Sequence, residues 1–132
     1  MQSKSGQDSL YRRLGGYDAI AAIIADLFQL LGEDERFRRF GPGRGLDSKA
    51  RAQQLTVELI CALAGGPCVY LGRDMKTSHH GLGITVEEWE ANLALAARVL
   101  QKHGVAAQET QEFLGLFERF RADIVELPPK TA

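Results

Sequence analysis

At 132 residues the chain is long enough for one domain with a substantial core and short for two. Sixteen basic and seventeen acidic residues leave a net charge of −1, so no strongly basic face is implied and nucleic acid is excluded as a favoured partner. The 45% hydrophobic fraction is that of a soluble globular protein, and no apolar run approaches the length that spans a bilayer, so no membrane association is expected. The opening stretch from Met1 to Asp8 is polar and lacks the apolar centre of a secretion signal, which makes the cytoplasm the expected location.

Residues 1–8 and 128–132 read as frayed tails around a single domain over 9–127. Within it, apolar residues recur at helical rather than strand spacing, which predicts an all-α protein. A short helix is expected from about Ser9 to Leu14, closed by Gly15-Gly16. A long one follows from Tyr17 to Leu31, ended by Gly32, with a stripe of Ile20, Ile23, Ile24, Leu27, Phe28 and Leu31. Gly41, Pro42, Gly43 and Gly45 predict a flexible corner. The next helix is expected from Asp47 to Ala64, with Ala52, Leu55, Thr56, Leu59, Ile60 and Leu63 on its buried face and Gly65-Gly66-Pro67 as its stop. A short helix should carry Met75 to His80. Thr85-Val86-Glu87-Glu88 has the form of a capping box, opening a helix that buries Trp89, Leu93, Ala96, Ala97 and Leu100 and ends at His103-Gly104. A last helix from Ala107 to Leu127 should bury Phe113, Leu116, Phe117, Phe120 and Ile124.

The two cysteines, Cys61 and Cys68, have neither zinc nor redox-motif spacing and are expected to be reduced thiols. Neither stands in a Cys-x-x-Cys-His context, so covalent haem attachment through thioethers is not supported. The segment Gly72-Arg73-Asp74-Met75-Lys76-Thr77-Ser78-His79-His80-Gly81-Leu82-Gly83-Ile84-Thr85 carries more information. A neutral imidazole at a helix edge is a good axial ligand for haem iron, although a solvated histidine pair favoured by the helix dipole has the same local signature.

The surrounding motifs discriminate between these. Ser9-Leu10-Tyr11-Arg12-Arg13-Leu14-Gly15-Gly16, Asp34-Glu35-Arg36-Phe37-Arg38-Arg39-Phe40 and Ala64-Gly65-Gly66-Pro67 precede Tyr70, Gly72, Met75 and His79, and Gly81-Leu82-Gly83-Ile84-Thr85 closes the series. In order and spacing this resembles the truncated haemoglobins, specifically their first group, from about Ser9 to Val125. The resemblance implies a two-over-two helical sandwich around haem b (iron protoporphyrin IX), with His79 as the proximal iron ligand. His80, pointing elsewhere on the helix, should face solvent. No histidine lies in the second or third helix, so a second internal ligand is not expected.

By the same match, Phe28 stands where most of the group carries a distal tyrosine that donates a hydrogen bond to the bound gas, and phenylalanine has no donor. Ala52 and Thr56 stand at positions often held by glutamine. Thr56 is the best remaining donor, and a one-residue shift of the helix would bring Gln53 toward the pocket instead of leaving it in solvent. Arg73 and Lys76, with Arg51 as a third candidate, are placed to meet the haem propionates. Phe40, Leu55, Leu59, Tyr70, Met75, Ile84 and Trp89 are the expected pocket walls, Trp89 being equally explained as core.

The expected function is reversible binding of diatomic gas (oxygen, carbon monoxide or nitric oxide) at ferrous iron in an apolar distal pocket. A nitric oxide dioxygenase, or another haem redox enzyme, would require a separate reductase. A haem-free helical interaction module is a third class, which a Soret band would eliminate.

Overall fold

A computed structural model describes residues 8–40 and 48–126 of the chain. The expected glycine corner at Gly41, Pro42, Gly43 and Gly45 lies outside the described residues, as do Asp47, Leu127 and nearly all of both tails. The regular elements among the described residues are all helical: α1 (Leu10–Leu14), α2 (Tyr17–Glu33), a 3₁₀ turn (Glu35–Phe40), α3 (Lys49–Leu63), α4 (Met75–His79), α5 (Val86–Lys102), α6 (Ala107–Glu118) and α7 (Arg121–Ile124). α2 packs on α3 and α5 packs on α6, with α2 also crossing α5, which makes the two-over-two sandwich.

Local chemistry sets the boundaries. Ser9 Oγ caps α1 by accepting from Arg12 N, and Ser48 Oγ caps α3 by accepting from Arg51 N, each at 3.2 Å. The capping box at the start of α5 forms in full: Glu88 N donates to Thr85 Oγ1 and Thr85 N donates to Glu88 Oε1, both at 3.0 Å. α2 does not stop at Gly32. It runs on to Glu33, and Asp34 breaks it by accepting from Arg36 N at 2.8 Å and pairing with the Arg36 guanidinium at 2.6 Å. The expected single last helix is two pieces. Phe120 leaves the helical path, its N–H donating to Phe117 only three residues back, and α7 restarts in a new direction against α4.

The core is built from Ile20, Ile23, Ile24 and Leu27 of α2, Val57 and Ile60 of α3, Leu95, Ala96, Val99 and Leu100 of α5, and Phe113 and Leu116 of α6. Two of the expected stripes are corrected. On α5, Leu95 and Val99 are buried, whereas Leu93 and Ala97 on the neighbouring side are half-buried. On α3, Val57, Ile60, Cys61 and Ala64 face the core and Leu63 packs against its edge, whereas Ala52, Leu55, Thr56 and Leu59 are half-buried away from it. These two sets lie on nearly opposite sides of the helix, so α3 has two apolar faces.

Cys61 and Cys68 are not free thiols in this structure. They form a disulfide with a Cα–Cα distance of 5.8 Å, because the reversal at Gly65-Gly66-Pro67 folds the chain back over the end of α3. Tyr11 N docks α1 onto the same end by donating to Ala64 O at 2.8 Å. Gly66 is required there: a Cβ would stand 2.3 Å from the Tyr11 ring and 2.8 Å from Cys61 Sγ. Opening this cross-link should lower unfolding free energy by about 2–3 kcal/mol from loop-closure entropy alone. Guanidinium unfolding with and without a phosphine reductant checks this; identical midpoints would show that the bond carries no stability.

Candidate functional site

His79 is the last residue of α4, a helix of five residues, and its side chain is half-buried. Its Nδ1 lies 3.0 Å from the Met75 carbonyl oxygen and 2.9 Å from Ser78 Oγ. A carbonyl can only accept, so Nδ1 carries the proton in this bond and the neutral ring keeps its lone pair on Nε2. Among the described residues Nε2 has no hydrogen-bond partner. Burial pushes the imidazole below its usual pKa, partly opposed by the Met75 hydrogen bond and the charge of Glu126, so the neutral ring is favoured. His80 is exposed, with Nδ1 3.4 Å from Glu126 Oε2. His103 lies elsewhere, at the end of α5, bonded to Asp26 at 2.8 Å.

The loop after His79 is held by two side chains that sequence reasoning did not select. Glu126 spans it with a forked carboxylate, accepting from Gly81 N at 2.9 Å and Gly83 N at 2.7 Å. Its own N–H donates to Ile84 O at 2.9 Å. From the other side Arg39 donates to Leu82 O at 2.9 Å and Gly83 O at 2.8 Å. Arg39 is in turn fixed by Glu88 at 2.7 and 2.9 Å and lies 4.1 Å over the Phe40 ring. Gly81 and Gly83 have φ of +84° and +65°, which other residues adopt only with strain. No local pattern marks Glu126 as a partner of this loop. Arg39 sits in the motif before the corner without any sign of its partner.

The second apolar face of α3 carries Ala52, Leu55, Thr56 and Leu59, all half-buried. Among the described residues α2 is the one helix that packs extensively on α3, and it covers the other face. Thr56 is not an available donor here, since its hydroxyl donates to Ala52 O at 2.8 Å. Gln53 lies one turn before Val57 and two before Ile60, on the core side, and Gln54 is exposed and bonded to Tyr17 and Glu58. Phe28 is half-buried and packs against the core. Phe40, Tyr70, Arg73, Met75 and Ile84 are half-buried, whereas Lys76 and Arg51 are exposed. The Tyr70 hydroxyl donates to the Arg73 carbonyl.

Trp89 is 4% exposed, yet its indole N–H has no partner among the described residues. A buried indole N–H normally finds an acceptor, so this orphan suits a wall completed by a bound group. An imidazole whose Nε2 has no partner, an apolar helix face turned away from the core and a buried indole N–H without an acceptor among the described residues each fit haem.

The bacterial-like globin family profile matches residues 9–126. A group 1 truncated hemoglobin of Mycolicibacterium paratuberculosis is 30% identical over 112 residues, 85% of this chain and 80% of that protein. The truncated hemoglobin of Tetrahymena pyriformis, in a ferric tyrosine-to-phenylalanine variant, superposes with a TM-score of 0.81 at 24% identity, covering 91% of this chain and 100% of the other. A Synechococcus 2/2 hemoglobin, in a cyanomet state with covalently attached heme, gives a TM-score of 0.78 at 23% identity, covering 89% and 98%.

Four carboxyls around these elements sit below their ordinary range. Hydrogen bonds from the Gly81 and Gly83 amides lower Glu126, Arg39 lowers Glu88, His103 lowers Asp26, and Arg36 brings Asp34 to about 2. A depressed folded pKa contributes stability that is present above the unfolded value and lost as pH falls through the folded one. The urea midpoint should therefore be insensitive to these groups above about pH 5 and fall from about pH 4 towards pH 2. Glu126→Gln should remove part of that fall; a variant with the wild-type acid profile would contradict the assignment to Glu126.

Proposed function

This chain belongs to the bacterial-like globin family, as a haem-binding truncated haemoglobin of the first group, and on that footing we propose that it binds diatomic gases, using haem b with His79 as the iron ligand and an apolar distal pocket. The observation that carries this reading is the His79 imidazole, whose Nδ1 is committed to Met75 O at 3.0 Å while Nε2 is left without a partner among the described residues. A haem bound here supplies a ferrous iron, the atom at which a diatomic gas is taken up.

The chain's own residues do the rest. Met75 holds the ring through its backbone and contributes its thioether to the wall. Arg73, Lys76 and Arg51 are the cationic partners for the haem carboxylates. Phe40, Leu55, Leu59, Tyr70, Ile84 and Trp89 shield the group from water. On the distal side Phe28 and Ala52 offer no side-chain donor, and the Thr56 proton is spent on the Ala52 carbonyl. Oxygen gains most from such a donor because it draws negative charge as it binds, whereas carbon monoxide and nitric oxide gain less. The pocket therefore releases oxygen quickly and favours the other two gases.

Absorption spectra of the ferric, dithionite-reduced and carbon-monoxide-bound protein test the ligand. The wild type should give a Soret band and a five-coordinate ferrous spectrum, both altered in His79→Ala. Phe28→Tyr should restore a distal donor and slow oxygen dissociation roughly 10- to 100-fold, the effect of one hydrogen bond to a polarised partner. Stopped-flow release kinetics measure this; an unchanged rate would place Phe28 away from the ligand.

A further inference from the structure

We propose that Arg39 and Glu126 are positioning residues that fix the direction of the His79 Nε2 lone pair by clamping the loop that follows it. The inference rests on the reading of His79 as the iron ligand.

A five-residue helix holds no fixed orientation by itself, because one turn of hydrogen bonds does not offset its ordering entropy. α4 has no side-chain cap at Asp74, and its contacts are chiefly with α7. The chain beyond His79 must supply the restraint. That chain forms almost no backbone hydrogen bonds of its own, save Leu82 N to His79 O at 3.2 Å. Four more of its backbone groups go to two side chains from distant parts of the sequence. Glu126 takes the N–H groups of Gly81 and Gly83, and Arg39 takes the carbonyls of Leu82 and Gly83. Gly83 is thus gripped from both sides, four residues after the imidazole. Charged groups on both sides make these bonds shorter and stronger than neutral ones.

Each clamp residue is itself anchored. Arg39 is pinned by Glu88, which also closes the capping box of α5. Glu126 is delivered by the break at Phe120, which turns α7 towards α4. The loop is therefore referenced to α5 and to α7 together, and the imidazole is referenced to the loop. Residues beyond a metal ligand that fix its orientation act on metal retention as well as on stability.

The test uses the haem-loaded protein with the mild variants Glu126→Gln and Arg39→Lys. Arg13→Ala is the control, since Arg13 joins α1 to α6 through Glu109 and Glu112 at 2.8 Å, away from α4. Three readouts are taken: amide exchange at Gly81 and Gly83, the iron–histidine stretching band of the ferrous protein, and the rate of haem transfer to apomyoglobin. The clamp variants should expose both amides, shift or broaden the band, and release haem roughly tenfold faster. The control should lower the thermal midpoint and leave all three unchanged. Faster exchange with a wild-type band and haem loss within about twofold of wild type would reduce both residues to stability alone and overturn the proposal. A wild-type band in His79→Ala would instead overturn the ligand assignment, and the proposal with it.

Discussion

The hydrogen bond between His79 Nδ1 and the Met75 carbonyl, 3.0 Å long, is the constraint on which the rest of the site depends. It fixes which ring nitrogen holds the proton and so which one holds the lone pair. Because donor and acceptor are four residues apart on one helical turn, it also fixes the ring plane relative to the α4 axis. Burial then favours the neutral ring. None of this would last on an isolated five-residue helix, so the orientation is only as good as the supports of α4: α7 on one side and the clamped loop on the other.

The larger architecture serves the same end. α3 divides its apolar residues between two faces, and only one of them meets the core. A helix that sealed both faces would leave no room for a planar group; one with a single apolar face would leave that group in water. The bend at Phe120 has a comparable logic. A continuous last helix would carry Ile124 and Glu126 onward along α6, whereas the break returns them to α4 and the loop behind His79.

Much of this was legible in the sequence where the determinants are local. The capping box at Thr85 and Glu88, the core stripe of α2 and the turn after α3 follow from residue types at short spacings. His79 was singled out by its spacing within motifs that resemble the truncated haemoglobins. The misses share a physical cause. Ala52, Leu55, Thr56 and Leu59 are as apolar in pattern as Val57 and Ile60, and hydrophobicity alone does not distinguish a face that meets the core from one that is left half-buried. On α5, apolar residues continue from the core face onto the neighbouring side, so Leu93 and Ala97 match the helical pattern as well as Leu95 and Val99 do. The break at Phe120 contains neither glycine nor proline. Arg39 and Glu126 act across 43 to 45 residues of sequence, where no spacing rule operates. The Cys61–Cys68 disulfide came from the fold of the reversal, not from a motif.

Chemical complementation of the ring tests the central claim most directly. In a His79→Gly variant the imidazole is removed and the space it filled is left open. Added free imidazole should restore the five-coordinate ferrous spectrum in a saturable manner, and the variant without it should not show that spectrum. A five-coordinate histidine-type spectrum in His79→Gly before any imidazole is added would mean that another residue holds the iron, and would contradict the account.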